Sequence, residues 1–236
     1  MQMRIDKKLQ ELGYFRSRNK ASEAVLRGEV LVDKKVVLKP SFDVSKSSDI
    51  EVVGKKYVSR AAYKLDFFLD EVDVVVEGVE ALDIGASSGG FTQVLLSKGA
   101  KTVTCVDVGR DQLAPELKND SRVIDIQECD IREFSTNTPF KLCVCDLSFI
   151  STSMVLEHID RLASRDIITL FKPQFEVGKL AKRNKKGVVQ DRSLIDRVVS
   201  GFLKQTEAFA WKCEYHSVSK LKGKEGNEEQ FFYFTK

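Results

Sequence analysis

Two acidic residues and a glycine-rich turn form the first set of residues whose types and spacing point to chemistry. Asp83 and Gly85 end one apolar run, Gly89 and Gly90 complete the pattern G-x-x-x-G-G, and Asp107 ends the next apolar run. Glycines let the backbone turn sharply and approach a ligand, and the helix that follows directs free N–H groups into the same space. An acidic side chain about 20 residues further on can accept hydrogen bonds from ribose hydroxyls. The pattern predicts a ligand that contains a ribose.

The details of the turn separate the ribose-containing cofactors. A dinucleotide site needs G-x-G-x-x-G, whose second glycine admits a pyrophosphate, but Ser87 holds that position. Asp83 would repel a pyrophosphate, whereas it suits the amino group and sulfonium of S-adenosylmethionine. A glycine turn without a ligand is the simpler alternative. We expect S-adenosylmethionine, and the expected cofactor-binding residues are Asp83, Gly85, Ala86, Ser87, Ser88, Gly89, Gly90, Phe91, Asp107 and Asp130.

Asp146 and Lys172 form a second set, because each follows an apolar run. Asp146 continues as Leu147-Ser148-Phe149 rather than as the Pro-Pro-aromatic sequence of enzymes that methylate base amino groups, which disfavours amine methylation. Lys172 precedes Pro173, which cannot extend the regular hydrogen bonding of a strand. We expect both side chains at the cofactor end of a sheet.

The elements that must position these residues alternate between strand and helix over most of the chain. Strands are predicted at 81–84, 101–106, 123–127, 142–145, 167–171, 210–217 and 230–234, and helices at 61–72, 91–98, 151–164 and 193–207. This alternation predicts an α/β fold with a doubly wound, Rossmann-like sheet, whose ligands bind at the carboxyl ends of the strands. Asp83, Asp107, Asp130, Asp146 and Lys172 all lie at such ends.

The first 60 residues differ from the rest in charge and in pattern. They hold 14 Lys and Arg against 8 Asp and Glu, a net charge of +6, although the whole chain of 236 residues carries only +3. Helices are predicted at 5–12 and 18–27, a hairpin at 30–32 and 36–38 with a turn at 33–35, and a returning strand at 50–53. We expect a small α+β domain over 1–54, a linker over 55–60 and the larger domain over 61–236. The positive charge favours an anionic polymer as partner.

The motifs of this small domain have a known counterpart. The segment contains Arg4-Ile5-Asp6 with Leu9, then Ser17-Arg18-x-x-Ala21 and Gly28-x-Val30-x-Val32. It resembles the alpha-L RNA-binding fold shared by ribosomal protein S4, pseudouridine synthases and other RNA-handling proteins. The resemblance implies binding of structured RNA through a basic helical face. For any single basic residue, a solvated surface position is the alternative.

A second resemblance covers essentially the whole chain. The motifs that carry it are Ser59-Arg60-Ala61-Ala62-Tyr63-Lys64-Leu65, the loop 83–91, Asp146-Leu147-Ser148-Phe149, Phe171-Lys172-Pro173-Gln174-Phe175-Glu176 and Gly226-Asn227-Glu228-Glu229. The chain is similar to the TlyA, or haemolysin A, family of ribosomal RNA methyltransferases, whose catalytic domain is of the FtsJ type. The resemblance implies S-adenosylmethionine-dependent 2'-O-methylation of ribosomal RNA. It places the Lys-Asp-Lys-Glu tetrad of such enzymes on Lys64, Asp146, Lys172 and Glu229, with Glu228 as the alternative to the last.

The residue types of that tetrad suit the reaction. A ribose hydroxyl is a poor nucleophile until its proton leaves, and in-line methyl transfer needs alignment. Lysine gives up its proton more readily when it is buried or near another cation. We therefore expect Lys172, beside Lys64, to accept the proton while Asp146 and Glu229 orient the two lysines. A surface salt bridge is the alternative for each lysine taken alone.

Further RNA contacts are expected around this site. The basic segment 179–186 follows Lys172 and is either a second RNA contact or a disordered charged loop. Phe149 either stacks on a displaced base or belongs to the core. The expected RNA-binding residues are Arg4, Arg16, Arg18, Lys20, Arg60, Phe149, Lys179, Lys182 and Arg183.

Composition excludes several other functions. No apolar run approaches a membrane span and the first residues have no hydrophobic signal region, so a cytoplasmic location is expected. The five cysteines have no C-x-x-C pair, so neither a disulfide nor a metal site is expected, and Cys143 and Cys145 are interpreted as small core residues.

The ends of the chain resemble those of the short members of the family, which implies a cytidine of large-subunit RNA as target. An RNA-binding assembly factor without turnover and a pore-forming haemolysin are the alternatives.

Overall fold

A computed structural model describes residues 2–53, 57–178, 181–223 and 225–236. The chain forms two compact units, Met1–Tyr63 and Lys64–Lys236. The first unit contains β1 (Met3–Arg4), α1 (Ile5–Glu11), α2 (Arg18–Leu26), β2 (Val30–Val32), β3 (Lys35–Val36), β4 (Asp43–Val44) and β5 (Ile50–Val52). Helix α3 (Arg60–Leu69) begins in the first unit and ends in the second.

The first unit is a small α+β domain with its own core. Strands β3, β2 and β5 form an antiparallel sheet, and β1 pairs with β4. Helices α1 and α2 bury an apolar face that includes Ile5, Leu9 and Val25. The hairpin turn is one residue shorter than predicted: Asp33 and Lys34, with φ angles of 51° and 62°, make a two-residue turn, so β3 already begins at Lys35. Both residues occupy the left-handed region that a type I′ turn requires.

The second unit is built on one mixed sheet of seven strands. Its elements are β6 (Glu80–Ile84), α4 (Gly90–Ser97), β7 (Thr102–Val106), α5 (Pro115–Lys118), β8 (Val123–Ile126), β9 (Phe140–Cys145), α6 (Leu156–Leu162), β10 (Ala163–Phe171), α7 (Pro173–Glu176), α8 (Arg192–Glu207), β11 (Lys212–Val218) and β12 (Gln230–Thr235). The strand order is β11-β12-β10-β9-β6-β7-β8, and β12 runs antiparallel to both neighbours. The five strands from β10 to β8 are parallel, so their carboxyl ends lie at one edge. The predicted α/β architecture is confirmed.

The predicted helix 151–164 is wrong at both ends. Thr152–Val155 is a 3₁₀ turn, α6 ends at Leu162, and β10 starts at Ala163, four residues before the predicted strand. The polar residues Ser164, Arg165 and Asp166 hide the start of the strand from an apolar pattern. Asp166 is nevertheless buried, and its carboxylate is satisfied by a hydrogen bond of 2.9 Å that Tyr233 on β12 donates to Oδ1. Cys143 and Cys145 are fully buried in the core, as predicted.

Candidate active site

The turn between β6 and α4 is held by a buried carboxylate. Asp83 Oδ2 accepts hydrogen bonds from the backbone N and Oγ1 of Thr92, at 2.9 and 2.7 Å, which fix the first turn of α4. The other oxygen, Oδ1, is buried and has no hydrogen-bond partner among the described residues. Burial raises the pKa of Asp83 to about 7, against the hydrogen bonds from Thr92, and the nearby Asp146 and Asp107 raise it further. The turn therefore contains one carboxylate oxygen that still needs a donor or a cation.

Gly85 must be a glycine for two reasons. Its φ is +79°, a conformation that costs an L side chain about 1 kcal/mol or more. A Cβ at this position would also lie 3.0 Å from the backbone oxygen of Asp146, at the end of the neighbouring strand β9. The missing side chain leaves space at the carboxyl ends of β6 and β9.

A cavity of about 420 Å³ opens at this edge of the sheet. Gly85, Ser87, Asp107 and Asp130 line it, as predicted for cofactor-binding residues. The remaining lining includes Val108, Gln112, Ile131, Asp146, Leu147 and Ser148. Val108, Gln112 and Ile131 were missed by the sequence analysis, although Val108 and Ile131 directly follow the two acidic residues at the strand ends. The apolar side chains of Val108 and Ile131 line the cavity beside carboxylates, which suits a nucleoside.

The other predicted cofactor residues shape the turn and do not line the cavity. They are Asp83, Ala86, Ser88, Gly89, Gly90 and Phe91. A Cβ on Gly89, with φ +85°, would lie 2.3 Å from Leu117, so this glycine serves close packing. Phe91 is buried against Phe231, with ring centroids 6.1 Å apart. Gly89 and Phe91 therefore support the turn through packing.

The two carboxylates at the far strands are already hydrogen-bonded. Asp107 accepts from the backbone N of Ser87 at 2.8 Å and of Gly109 at 2.7 Å, which joins the glycine turn to the end of β7. Asp130 accepts from Arg132 through the backbone and the guanidinium. Those bonds lower the pKa of Asp130 to about 2. Both residues are therefore fixed in place, with lone pairs left for further donors.

Lys172 and Asp146 meet at the carboxyl ends of β10 and β9. Lys172 Nζ lies 2.7 Å from Asp146 Oδ1 and donates a 2.8 Å hydrogen bond to Ser148 Oγ. Asp146 Oδ1 accepts no hydrogen bond of good geometry from the described residues, so its contact with Lys172 is an ion pair. Only about a tenth of the Lys172 side chain is exposed, at 10%. Ser148, which the sequence analysis missed, both lines the cavity and contacts the lysine.

Lys64 and Glu229 form the other lysine–carboxylate pair. Lys64 Nζ donates to Glu229 Oε2 at 2.5 Å, with side-chain exposures of 10% and 4%. Gln174 Nε2 donates to the second oxygen of Glu229 at 3.2 Å. Glu228, in contrast, pairs with Arg192 and Lys222 on the exposed side. Of the two glutamates, Glu229 is the one that contacts a predicted catalytic lysine.

Helix α7 connects the two pairs. Lys172 precedes its first residue, Gln174 lies within it, and Glu176 at its last position accepts hydrogen bonds from Ser151 Oγ and, at 2.8 Å, from Thr152 N. No hydrogen bond or ion pair joins Lys172 or Asp146 directly to Lys64 or Glu229 within the described ranges. The expected tetrad is therefore arranged as two ion pairs linked by α7 and not as one contiguous cluster.

Phe149 projects outward next to Asp146 and Ser148. It is 93% exposed, its φ of +69° is rare for an aromatic residue, and its ring centroid lies 5.4 Å from that of Phe175 on α7. The alternative that Phe149 belongs to the core is wrong. An exposed aromatic ring held in an unfavourable backbone conformation is suited to stacking on a ligand.

The predicted RNA-binding arginines have different environments. Arg4 and Arg18 contact the buried Asp6, whereas Arg16 is exposed with no ion pair within residues 2–53. Arg183 donates to the carbonyl oxygens of Gln174, which lies within α7, and of Gly178 and Ala181, which follow it. Lys20 forms an ion pair with Glu23, and the side chain of Lys182 is exposed. Arg60 is the first residue of α3. Lys179 lies outside the described residues.

The described part of the basic segment forms a closed turn. Asn184 Oδ1 accepts from the backbone N of Lys186 and of Val188, and Arg183 forms a bridge with Val189. Val189 N donates to Asn227 Oδ1 at 3.0 Å. The turn is thereby attached to the segment that carries Glu229.

The described residues contain no group of three or more His, Cys, Asp or Glu residues arranged to hold a metal ion. Within the same residues, no helix has the length and hydropathy needed to cross a membrane.

Comparisons with known proteins place these observations in context. The FtsJ-like methyltransferase model matches residues 57–236, and the S4 domain model matches residues 3–50. The chain is 41% identical over 240 residues to the 23S rRNA (cytidine-2'-O)-methyltransferase TlyA of Campylobacter jejuni, covering 93% of this chain and 94% of that protein. It is 39% identical over 238 residues to the 16S/23S rRNA (cytidine-2'-O)-methyltransferase TlyA of Mycobacterium tuberculosis, covering 98% and 88%. A solved structure from Streptococcus thermophilus that carries the name hemolysin superposes with a TM-score of 0.73 at 29% identity, covering 100% and 88%.

Proposed function

The chain belongs to the family of FtsJ-like methyltransferases, and from this premise we propose that it methylates the ribose 2'-hydroxyl of a cytidine in 23S ribosomal RNA, with S-adenosylmethionine as methyl donor. The observation that carries the proposal is the Lys172–Asp146 ion pair, whose aspartate lines the cavity beside the glycine turn. A lysine held against a carboxylate at the edge of a cofactor cavity is suited to act on a hydroxyl proton.

The residues around the cavity fit S-adenosylmethionine. Gly85 leaves the space that a close ligand needs, and Asp107 retains lone pairs for ribose hydroxyls. The unpartnered Oδ1 of Asp83 matches a ligand with a positive charge, although Asp83 itself does not line the cavity. When bound, the cofactor supplies an electrophilic methyl group on a positive sulfur.

The two ion pairs divide the work of catalysis. Lys172 Nζ, once it has released its own proton to solvent, would accept the proton of the 2'-hydroxyl. The ribose oxygen would form its bond to the methyl carbon as the bond from that carbon to the cofactor sulfur breaks, which leaves a neutral thioether. Asp146 and Ser148 hold that lysine in place through contacts of 2.7 and 2.8 Å. Lys64, held by Glu229, supplies positive charge for the developing oxyanion. Lysine suits the proton-accepting role better than arginine, because an amine can exist without its proton in a protein whereas a guanidinium keeps its charge.

RNA binding is assigned to three places on the chain. Residues 1–54 act as an S4-type RNA-binding domain. Its RNA contacts are Arg4, Arg16, Arg18 and Lys20. Residues 61–236 act as the catalytic domain, and residues 55–60 are the linker. Phe149 stacks on a displaced base near the methyl position. Arg60, Lys179, Lys182 and Arg183 add further RNA contacts, although the guanidinium of Arg183 also binds three carbonyl oxygens within the protein.

The relatives' names support the proposed target. Both curated relatives are named for cytidine 2'-O-methylation, and 23S RNA is the substrate that the two names share. Ribosomal RNA is modified where ribosomes are assembled, so the protein acts in the cytoplasm. We assign no activity toward 16S RNA.

The test is methyl transfer to separated ribosomal subunits. Purified protein, radiolabelled S-adenosylmethionine and 50S or 30S subunits from cells lacking the gene are incubated, and the modified ribose is located by primer extension at low deoxynucleotide concentration. We expect one 2'-O-methylcytidine in 23S RNA. Label at a base atom would contradict the proposed chemistry, and label confined to 16S RNA would contradict the proposed substrate.

A further inference from the structure

A buried carboxylate lies beneath two arginines of the proposed RNA-binding surface. The side chain of Asp6, at the start of α1, is 2% exposed. Arg4 Nε donates to its Oδ1 at 3.1 Å and Arg4 Nη2 to its Oδ2 at 2.8 Å. Arg18 Nε donates to Oδ2 at 3.0 Å, and Ser22 Oγ to the same atom at 3.3 Å. One carboxylate therefore receives four hydrogen bonds from three residues, which lie on β1 and α2.

The two guanidinium groups still face outward. The side chains of Arg4 and Arg18 are 46% and 49% exposed. Arg4 keeps Nη1, and Arg18 keeps both terminal nitrogens, outside any hydrogen bond with the described residues. Because the buried Asp6 holds the planes of both guanidinium groups, the orientations of their remaining N–H groups are fixed as well. Fixed guanidinium planes match the oxygen pairs of phosphate groups.

A domain that needed only positive charge would gain nothing from this arrangement. The carboxylate removes one unit of net charge next to a surface that binds a polyanion, and a buried carboxylate must be compensated by good hydrogen bonds. Burial by itself raises the pKa of Asp6, but the hydrogen bonds and charges of Arg4 and Arg18 outweigh it and lower the pKa, so the group is ionised at neutral pH. The repulsion of phosphate is thus present whenever RNA binds.

We infer that Asp6 is a positioning residue for RNA recognition, which orients Arg4 and Arg18 so that they bind phosphate groups at a fixed spacing on a structured RNA. The inference rests on the proposed function, since it takes ribosomal RNA as the ligand. A fixed arginine loses less side-chain freedom on binding than a free one, which raises affinity for an RNA of matching shape. An unstructured strand offers no fixed spacing and gains nothing from the orientation.

The test compares Asp6→Asn with Glu29→Gln. Glu29 is the matched control: it is also mostly buried, and it binds Arg27, which is not among the proposed RNA-binding residues, through hydrogen bonds of 2.6 and 2.9 Å. Each variant removes one negative charge. Affinities are measured at one salt concentration for two probes, a folded 23S RNA transcript and single-stranded poly(U), together with thermal unfolding of each protein.

The two explanations predict opposite results for Asp6→Asn. Positioning predicts about tenfold weaker binding of the transcript than by Glu29→Gln, with poly(U) bound as tightly by both variants. Charge alone predicts that both variants bind both probes more tightly than the wild type. Equal loss on the transcript and on poly(U) would mean that Asp6 only supports the fold, and would overturn the inference.

Arg18→Lys decides the matter if Asp6→Asn does not fold. Lysine keeps the positive charge and can still pair with Asp6, but it lacks the planar group. We expect weaker binding of the transcript and unchanged binding of poly(U), and unchanged binding of both would overturn the inference. Arg18→Glu separates this failure from failure of the proposed interface: if charge reversal leaves RNA affinity unchanged, the surface itself does not bind RNA.

Discussion

Lys64 and Glu229 are 165 residues apart in the sequence, yet their side chains form an almost completely buried ion pair of 2.5 Å. One residue lies on α3 and the other directly precedes β12, so the pair forms only when these two distant segments of the chain come together. Gln174 from α7 binds the same carboxylate. The contact also distinguishes Glu229 from its neighbour Glu228, which forms ion pairs with Arg192 and Lys222 instead.

Glu229→Gln is expected to lower methyl transfer at least about 100-fold, because it leaves Lys64 without its counter-ion beside the reacting oxygen. Loss of one partner of a buried pair also costs about 3–5 kcal/mol of folding free energy, so the assay must be run well below the unfolding temperature. Glu228→Gln is the matched control and should keep nearly full activity. The reverse order of effects in a radiolabel transfer assay would assign the role to Glu228.

Gly85→Ala should weaken S-adenosylmethionine binding about tenfold or more, since the new Cβ would meet the Asp146 backbone at 3.0 Å and the strained φ costs about 1 kcal/mol. Gly78→Ala controls for the strain, because Gly78 has a similar φ of +70° with nothing within 4 Å of its Cβ position. Calorimetry measures both affinities. Equal losses in the two variants would show that strain, and not a closed ligand space, explains the effect.

The affinity for S-adenosylmethionine should rise with pH between about 6 and 7.5. The pKa of Asp83 is raised to about 7 by burial, so the group is mostly protonated at the lower pH and increasingly ionised above it. A cationic ligand favours the ionised form, and its binding should therefore release protons. The affinity of Asp83→Asn for S-adenosylmethionine, measured over the same pH range, gives the contribution of all other ionisable groups, including those of the ligand. If wild type and variant show the same pH dependence, Asp83 does not interact with the bound cofactor.

The RNA contacts of the small domain should appear in the salt dependence of binding. Arg16→Ala is expected to weaken binding of a 23S transcript and to reduce the slope of log affinity against log salt by about 1, because one phosphate contact is lost. Lys46→Ala removes the same charge from another exposed position of this domain. A slope that changes equally in both variants would indicate a general charge effect without a specific contact at Arg16.

Much of the site could be predicted because it lies at strand ends. The apolar runs that end at Ile84, Val106, Cys145 and Phe171 mark buried parallel strands, and the residue after each run must then emerge at one edge of the sheet. Two of the predicted cofactor residues, Gly85 and Asp107, line the cavity for this reason.

The parts that could not be predicted depend on tertiary contacts. The early start of β10 is polar in sequence and is stabilised by Tyr233 from a strand 67 residues away. Ser148 and Gln174 carry no periodic signal, and their roles come only from the loop and the short helix α7 that bring them to Lys172 and Glu229. The division of the tetrad into two pairs likewise depends on distances between side chains, which the spacing of the residues along the sequence does not determine.

The most direct test of the account is the rate of methyl transfer by Lys172→Arg, compared with Lys172→Ala. Arginine keeps a positive charge beside Asp146, but it cannot release its proton near neutral pH. If Lys172 accepts the proton of the ribose hydroxyl, both variants should lose at least about 100-fold in single-turnover rate while they bind S-adenosylmethionine and RNA nearly as the wild type does. A wild-type rate in Lys172→Arg would contradict the account, because it would show that the residue serves only as a positive charge.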